Sequence, residues 1–362
     1  MFFQIHMENE RKNKKIIWVG IGIAILAVLL ASFFVVKGYI ASSYLQKGVE
    51  YFLKDDFTNA RLYLKKSVEL NQRLPEAYFY LGQISIAVET DGGIVYYLPE
   101  ADYANAVTYY EKALEYGIEK KDTDTHRRTL NNLGFSYRQI GEYEKGDAVY
   151  LKKIELFPDL SFNARYFVAV DYFERFNKPQ DAIDLLLPAF DSRDGQERYY
   201  YRGYSLLSQL FYFLKDYDNA WKYSELALRA SNGKVDRFIY IVRGVRAIIY
   251  GYKKDFTSAE AELEKISKLS NPKDGANCIF ATALLEGGDP VRAVMRAEGA
   301  LGVEGDLRFA CLFVFAEGNA KLGNKSEADN FMRSYLKETD EMPEHTIFIL
   351  RNRDDFKRAL GR

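Results

Sequence analysis

From about residue 41 to residue 338, apolar residues recur at intervals of three and four, the signature of amphipathic helices. No stretch reads as a buried alternating strand. At one place the apolar residues run together: Ile16 to Val36 holds twenty-one residues without a charge. The pattern predicts an all-α chain in which one apolar helix precedes a series of amphipathic helices.

The amphipathic part repeats itself. Segments such as DFTNARLYLKKSVEL, DYANAVTYYEKALEYG, DYDNAWKYSELALRA and DFTSAEAELEKISKL each place a small residue just after an acidic turn that starts a helix. Aligned on that residue they give Ala60, Ala106, Gly146, Ala182, Ala220, Ala259, Ala293 and Ala328, with spacings of 46, 40, 36, 38, 39, 34 and 35. A period in that range predicts an array of about eight helix pairs rather than one globular core. Small residues are expected where two helices cross closely, with Tyr and Phe filling the wider gaps.

The clearest unit is RRTLNNLGFSYRQIGEYEKGDAVYLKKIELFPD, with Leu130, Leu133, Gly134 and Tyr137 in its first helix, Gly146 and Tyr150 in its second and Pro158 at its exit. This resembles the tetratricopeptide repeat, and the resemblance extends over residues 41 to 338. It implies a solenoid of helical hairpins. Repeats six to eight depart from the pattern, with Arg246 and Ala247 or Phe315 and Ala316 in place of the Leu-Gly pair. Between the first and third repeats the period lengthens, and ETDGGIVYYLPEA (89–101), with Gly92, Gly93 and Pro99, reads as an inserted loop. Its apolar centre is expected to fold back on the neighbouring helices. Pro188 should kink the second helix of repeat four.

At about 1.5 Å per residue, residues 16–36 are as long as a bilayer core is thick, which predicts a transmembrane helix after a basic segment, 1–15. A cleaved signal peptide would have a shorter apolar region. Arg11, Lys12, Lys14 and Lys15 on one flank outnumber Lys37 and Lys47 on the other. That bias favours a cytoplasmic N-terminus and an extracytoplasmic, periplasm-like location for the repeats. Residues 339–362 are expected to cap the array.

Charge and chemistry then narrow the function. The net charge is −1, and no basic stripe interleaved with stacking aromatics suggests nucleic acid. His6, His126 and His345 lack metal-ligand spacing, GVEGD and EGGD lack the Lys-Ser/Thr ending of a phosphate loop, and no nucleophile elbow is present. Neither an enzyme, a cofactor nor a metal is expected. Cys278 and Cys311 fall in the first helices of repeats seven and eight. Stacked first helices lie about 8–10 Å apart, whereas a disulfide needs Cα atoms within about 7 Å, so free buried thiols are expected.

The resemblance also implies that a protein partner binds in a concave groove lined by first helices. Its offsets place Arg128, Asn131, Phe135 and Arg138 there from repeat three, Phe167, Asp171, Glu174 and Arg175 from repeat four, and Arg202, Ser205, Gln209 and Tyr212 from repeat five. The Lys-Asn clamp for a C-terminal carboxylate is absent, since Leu45 and Val49 stand at the matching positions. The resulting expectation is a membrane-anchored scaffold for assembly of an envelope complex of secretion, pilus or flagellar type. A translocation-associated chaperone adaptor and a regulatory partner of an envelope enzyme are the alternatives. Surface Tyr and Phe leave homo-oligomerisation open.

Overall fold

The computed structural model describes residues 2–90, 93–96, 101–191, 199–234, 236–267, 273–299 and 307–340. It is all-α apart from one hairpin, and it divides into two compact units, Met1–Lys152 and Lys153–Arg362.

The first unit begins with α1 (Phe2–Leu53), a single unbroken helix. Its last part pairs with α2 (Phe57–Leu70), followed by the hairpin α3 (Pro75–Ser85) and α4 (Tyr103–Glu115), then α5 (Thr123–Gln139) leading into α6 (Tyr143–Leu156). In the second unit the pairs are α7 (Phe162–Glu174) with α8 (Pro179–Leu186), α9 (Tyr200–Phe213) with α10 (Tyr217–Ala230), and α11 (Arg237–Tyr252) with α12 (Phe256–Ser267). It ends with α13 (Lys273–Glu286) paired with α14 (Pro290–Glu298) and α15 (Leu307–Leu322) paired with α16 (Lys325–Asp340). Of the expected cap, residues 341–362 lie outside the described residues.

Every residue of the aligned small series falls in a second helix and is buried. The first three repeats show why. A Cβ on Gly48 would stand 2.6 Å from Leu64, one on Gly82 2.6 Å from the Tyr110 ring, and one on Gly134 2.7 Å from the Tyr150 ring. In each case the facing side chain sits four residues after the small residue, one helical turn on. A glycine on the first helix thus makes room for a large residue on the second, and Tyr110 and Tyr150 are completely buried as a result.

The hairpin turns share a second device. Two residues before every second helix except α4 the backbone adopts positive φ, at Asp55, Gly141, Asn177, Lys215, Lys254, Gly288 and Gly323. The next residue caps the helix in four of these turns, where Asp56, Asp216, Asp255 and Asp289 each accept a backbone N–H three residues on, and Asp102 does the same ahead of α4 without a positive φ before it. In the DFTN, DYAN and DYDN turns the Asn side chain donates a second bond to the same carboxylate. These bonds hold Asp56, Asp255 and Asp289 below the usual carboxylate pKa, and Thr125 does so for Asp122 ahead of α5. A carboxylate whose pKa is depressed by folding adds stability above its unfolded pKa and loses it as pH falls through the folded value. The urea midpoint followed by circular dichroism should therefore fall mainly below about pH 4, after a smaller decline that begins at about pH 6.5, because burial lowers the pKa of His126 in the folded chain.

Three local features differ from the sequence reading. The insertion is not an irregular loop: β1 (Ala87–Thr90) pairs antiparallel with β2 (Gly93–Tyr96), with Val88 opposite Val95. The β-branched Ile94 and Val95 suit a strand, while residues 91, 92 and 97–100 lie outside the described residues. Pro188 does not kink a continuing helix. It ends α8, and the chain continues as a 3-10 turn, Leu187–Asp191.

The third feature is a correction. Cys278 and Cys311 are disulfide-bonded, with their Cα atoms 4.8 Å apart. The expected 8–10 Å is a distance between helix axes, but each Cα stands about 2.3 Å off its axis. Two that face each other across α13 and α15 therefore come within bonding range.

Candidate protein-binding faces

In the second unit the first helices lie side by side, α9 against α11, α11 against α13 and α13 against α15. Residues at that seam are hidden even when polar. Ser205 is fully buried and its hydroxyl donates to the Phe238 carbonyl of α11, while Gln209 donates to the Ser205 carbonyl. Tyr212 and Asp171 are also buried. Buried in this way, the four do not line an accessible groove.

Arg202 remains partly exposed and lies over three rings, 4.9 Å from that of Tyr199, 5.1 Å from Phe238 and 5.8 Å from Tyr201. Its Nε donates to the Tyr201 hydroxyl, which in turn donates to Asp236 at 2.6 Å. Two cations that the family offsets did not single out complete this cluster. Lys234 stands 4.9 Å from the Tyr201 ring and Arg237 4.9 Å from that of Phe238, both exposed. Lys234 lies just before α11 and Arg237 is its first residue, and the run KVDRF is their trace in the sequence. Such a cation-aromatic surface can take up a carboxylate or an aromatic side chain of a peptide. On α7, Phe167, Glu174 and Arg175 are half-buried, and Arg175 lies 5.7 Å from the exposed Phe176 ring.

In the first unit, Arg128 is exposed and lies 5.2 Å from the ring of Phe79 on α3. Asn131 is half-buried and donates to Asn132, and Phe135 is half-buried edge-on to Tyr103. Arg138 is different. Its guanidinium is 3.1 Å from Asp147 with both side chains one-tenth accessible, and it lies over Tyr143. It latches its own hairpin and offers little to a ligand. A cavity of about 440 Å³ lined by Phe57, Thr58, Arg61, Leu62 and Lys65 lies on α2, apart from these residues.

Arg246, which replaces a repeat-family leucine, shows how repeat six tolerates the change. It stacks 3.8 Å from the Trp221 ring, donates to Ser224 and lies 3.5 Å from Glu262. Glu262 is buried and also binds Arg243 at 2.8 Å and Lys265 at 3.1 Å. Burial alone would raise its pKa, but those bonds and the Arg246 charge outweigh it and hold the carboxyl below its usual range. It therefore joins the capping aspartates in the acid limb of stability. On α11 itself burial pushes the Tyr240 hydroxyl up to about 12.

The geometry is that of stacked helical hairpins with polar and aromatic residues left at the first-helix surface, and two segments, 41–73 and 128–160, match the family model described as tetratricopeptide repeat. The chain carries tetratricopeptide repeats. Among solved structures it is similar to a tetratricopeptide repeat protein from Parabacteroides merdae, with 18% identity over 76% of this chain and 98% of that one and a TM-score of 0.44. It is also similar to yeast Tom70, with 20% identity over 85% of this chain and 58% of that one and a TM-score of 0.37. The TPR2AB domain of yeast Sti1, solved as a pHSP90 complex, has 17% identity over 83% and 99% and a TM-score of 0.25. No curated protein sequence matches the chain. Among the described residues no three His, Cys, Asp or Glu side chains group so as to hold a metal ion.

Proposed function

We propose that the chain is a membrane-anchored scaffold whose tetratricopeptide repeats hold a protein partner during assembly of an envelope complex. One observation carries this reading. The first helices use their backs for packing and leave Arg128, Phe135, Phe167, Arg175 and Arg202 at least partly at the surface. Arginine and aromatic side chains on a rigid support are what dominate protein-binding surfaces.

The anchor is α1, of which Ile21–Leu53 is long and apolar enough to cross a membrane. Among the described residues its large apolar side chains, such as Trp18, Phe33, Val35 and Tyr39, are exposed, and one-sided burial begins at Ala41. A helix apolar all round needs lipid or protein about it. The disulfide supports the extracytoplasmic side for the repeats, because such bonds persist where the compartment is oxidising. It therefore agrees with the charge bias across α1.

Affinity purification of the full chain from detergent-solubilised membranes tests the scaffold reading. A scaffold retains one set of partners at a fixed ratio and loses it on Arg202→Ala with no change in melting temperature. Many substoichiometric clients would instead mark a chaperone adaptor, and an unaltered partner set in the variant would remove the proposed face.

A further inference from the structure

Helix α1 runs from the apolar stretch into the first repeat without a break, so the height of each repeat-one residue above a bilayer follows from helix geometry. The all-round apolar surface ends near Lys37, Tyr39 and Ile40. Helix α2 returns antiparallel towards that level: Leu64 packs on Gly48, and the Ser67 hydroxyl donates to the Ala41 carbonyl at 2.9 Å. Leu70 and the turn after it therefore stand roughly 5 Å or more below Ala41, at about the level of Tyr39. The end of α2 does not project away from the membrane; it is brought back to it.

Charge is sorted along this hairpin. In the membrane-proximal parts, 37–49 and 63–73, there are five cations, Lys37, Lys47, Lys65, Lys66 and Arg73, against one acid, Glu69. The other acids of the hairpin, Glu50, Asp55 and Asp56, lie at its far end with Lys54 and Arg61. Glu50 feels the charge of Lys47, three residues before it, but its ion pair is with Lys54 at the far end. Tyrosines accompany the five cations: Lys66 lies 5.9 Å from the Tyr44 ring and 5.6 Å from that of Tyr63, and Lys47 lies 5.7 Å from Tyr63. Tyr39 is 78% exposed at the rim, and Trp18 is 71% exposed twenty-one residues earlier. At about 1.5 Å per residue that separation matches the hydrocarbon thickness, as expected of aromatic residues at both interfaces.

From this we infer that the first repeat is itself a lipid-binding surface, whose Lys-Tyr face at the base of α1 and α2 engages the phosphates of anionic phospholipids in the leaflet around α1. The inference rests on α1 spanning the membrane. The cations supply charge to anionic headgroups, and tyrosine is suited to the boundary between apolar and polar layers. Lys65, Lys66 and Arg73 lie beyond the stretch of sequence that sets insertion polarity, so they serve this surface without deciding the orientation. Repeat one would then be held against the membrane at two points, leaving the later repeats to carry the partner.

The test uses the full chain in vesicles of phosphatidylcholine, with or without phosphatidylglycerol, and a trace of nickel-chelating lipid as a relaxing agent. A spin label is placed at the turn by Gln72→Cys or at the far end of the hairpin by Thr58→Cys. The Gln72 label should be relaxed at least threefold more than the Thr58 label. Phosphatidylglycerol should strengthen that effect, and Lys65→Ser with Lys66→Ser should abolish the lipid dependence. Equal relaxation at both labels, or no dependence on phosphatidylglycerol, in protein that resists carbonate extraction overturns the lipid surface while the anchor stands. Release of the protein by carbonate overturns the anchor instead.

Discussion

Gly251→Ala should lower the stability of the second unit by about 3 kcal/mol, the upper end of what overpacking a core costs. A Cβ at Gly251 would stand 2.2 Å from the Ala283 carbonyl oxygen and 2.6 Å from its carbon, so it meets the backbone of α13 rather than the end of a side chain. The opposing Gly287 allows no retreat, because its own Cβ position is already 2.6 Å from the Gly251 carbonyl. The two helices would have to separate, and α13 is held on its other side to α15 by the disulfide. Gly244, on the same helix, makes the control. Its Cβ would come no nearer than 3.4 Å to the Ile279 side chain, which can give way. Gly244→Ala should therefore be neutral or stabilising, by up to about 1 kcal/mol from the helix preference of alanine over glycine. Fluorescence of Trp221, which contacts Arg246 and Tyr250 within this unit, reports the unfolding midpoint for both variants. Equal shifts would mean that α11 and α13 do not cross at Gly251.

Removing the disulfide, as Cys278→Ala with Cys311→Ala, should cost about 3–4 kcal/mol on the chain-entropy scale for a link between residues 33 apart. The loss should fall on the end of the second unit. There Cys278 and Cys311 belong to one buried cluster with Leu284, Leu285, Ala293 and Phe315, so the alanines also leave less bulk behind. Reduction of the unaltered protein gives the same link removed with both sulphurs in place, and the difference between the two experiments isolates packing from cross-linking. In cells, alkylation of denatured protein should leave both cysteines unmodified until a reductant is added. Free thiols there would contradict both the bond and the oxidising compartment inferred from it.

Much of this fold can be seen in the sequence because repeats force the same solution at each step. Gly82 and Gly134 are legible as close crossings since the facing Tyr110 and Tyr150 recur one turn beyond a small residue. The DFTN and DYDN turns are legible as caps because the short Asp side chain carries an acceptor oxygen that reaches back to the helix start. Exposure at the candidate face is another matter. Ser205 and Gln209 look like groove residues by offset, yet each finds a backbone carbonyl within the packed helices and is buried. Arg138 has the right position but a nearer partner in Asp147. Neither outcome is set by local spacing, since both depend on how closely neighbouring helices approach. The same is true of the disulfide, which turns on a Cα separation that sequence period alone does not supply, and of Lys234 and Arg237, which join Arg202 only because the start of α11 comes beside α9.

The central claim, that first-helix residues hold a defined protein partner, is tested most directly by photo-crosslinking in intact cells. The crosslinker is placed at Phe135 or at Arg202, one in each unit, and at the exposed Leu151 on the second helix α6 as control. A discrete adduct of the same membrane or envelope protein from a first-helix site, absent from Leu151, is the expected result. Equal capture at Leu151, or no discrete adduct from either first-helix site, would contradict it.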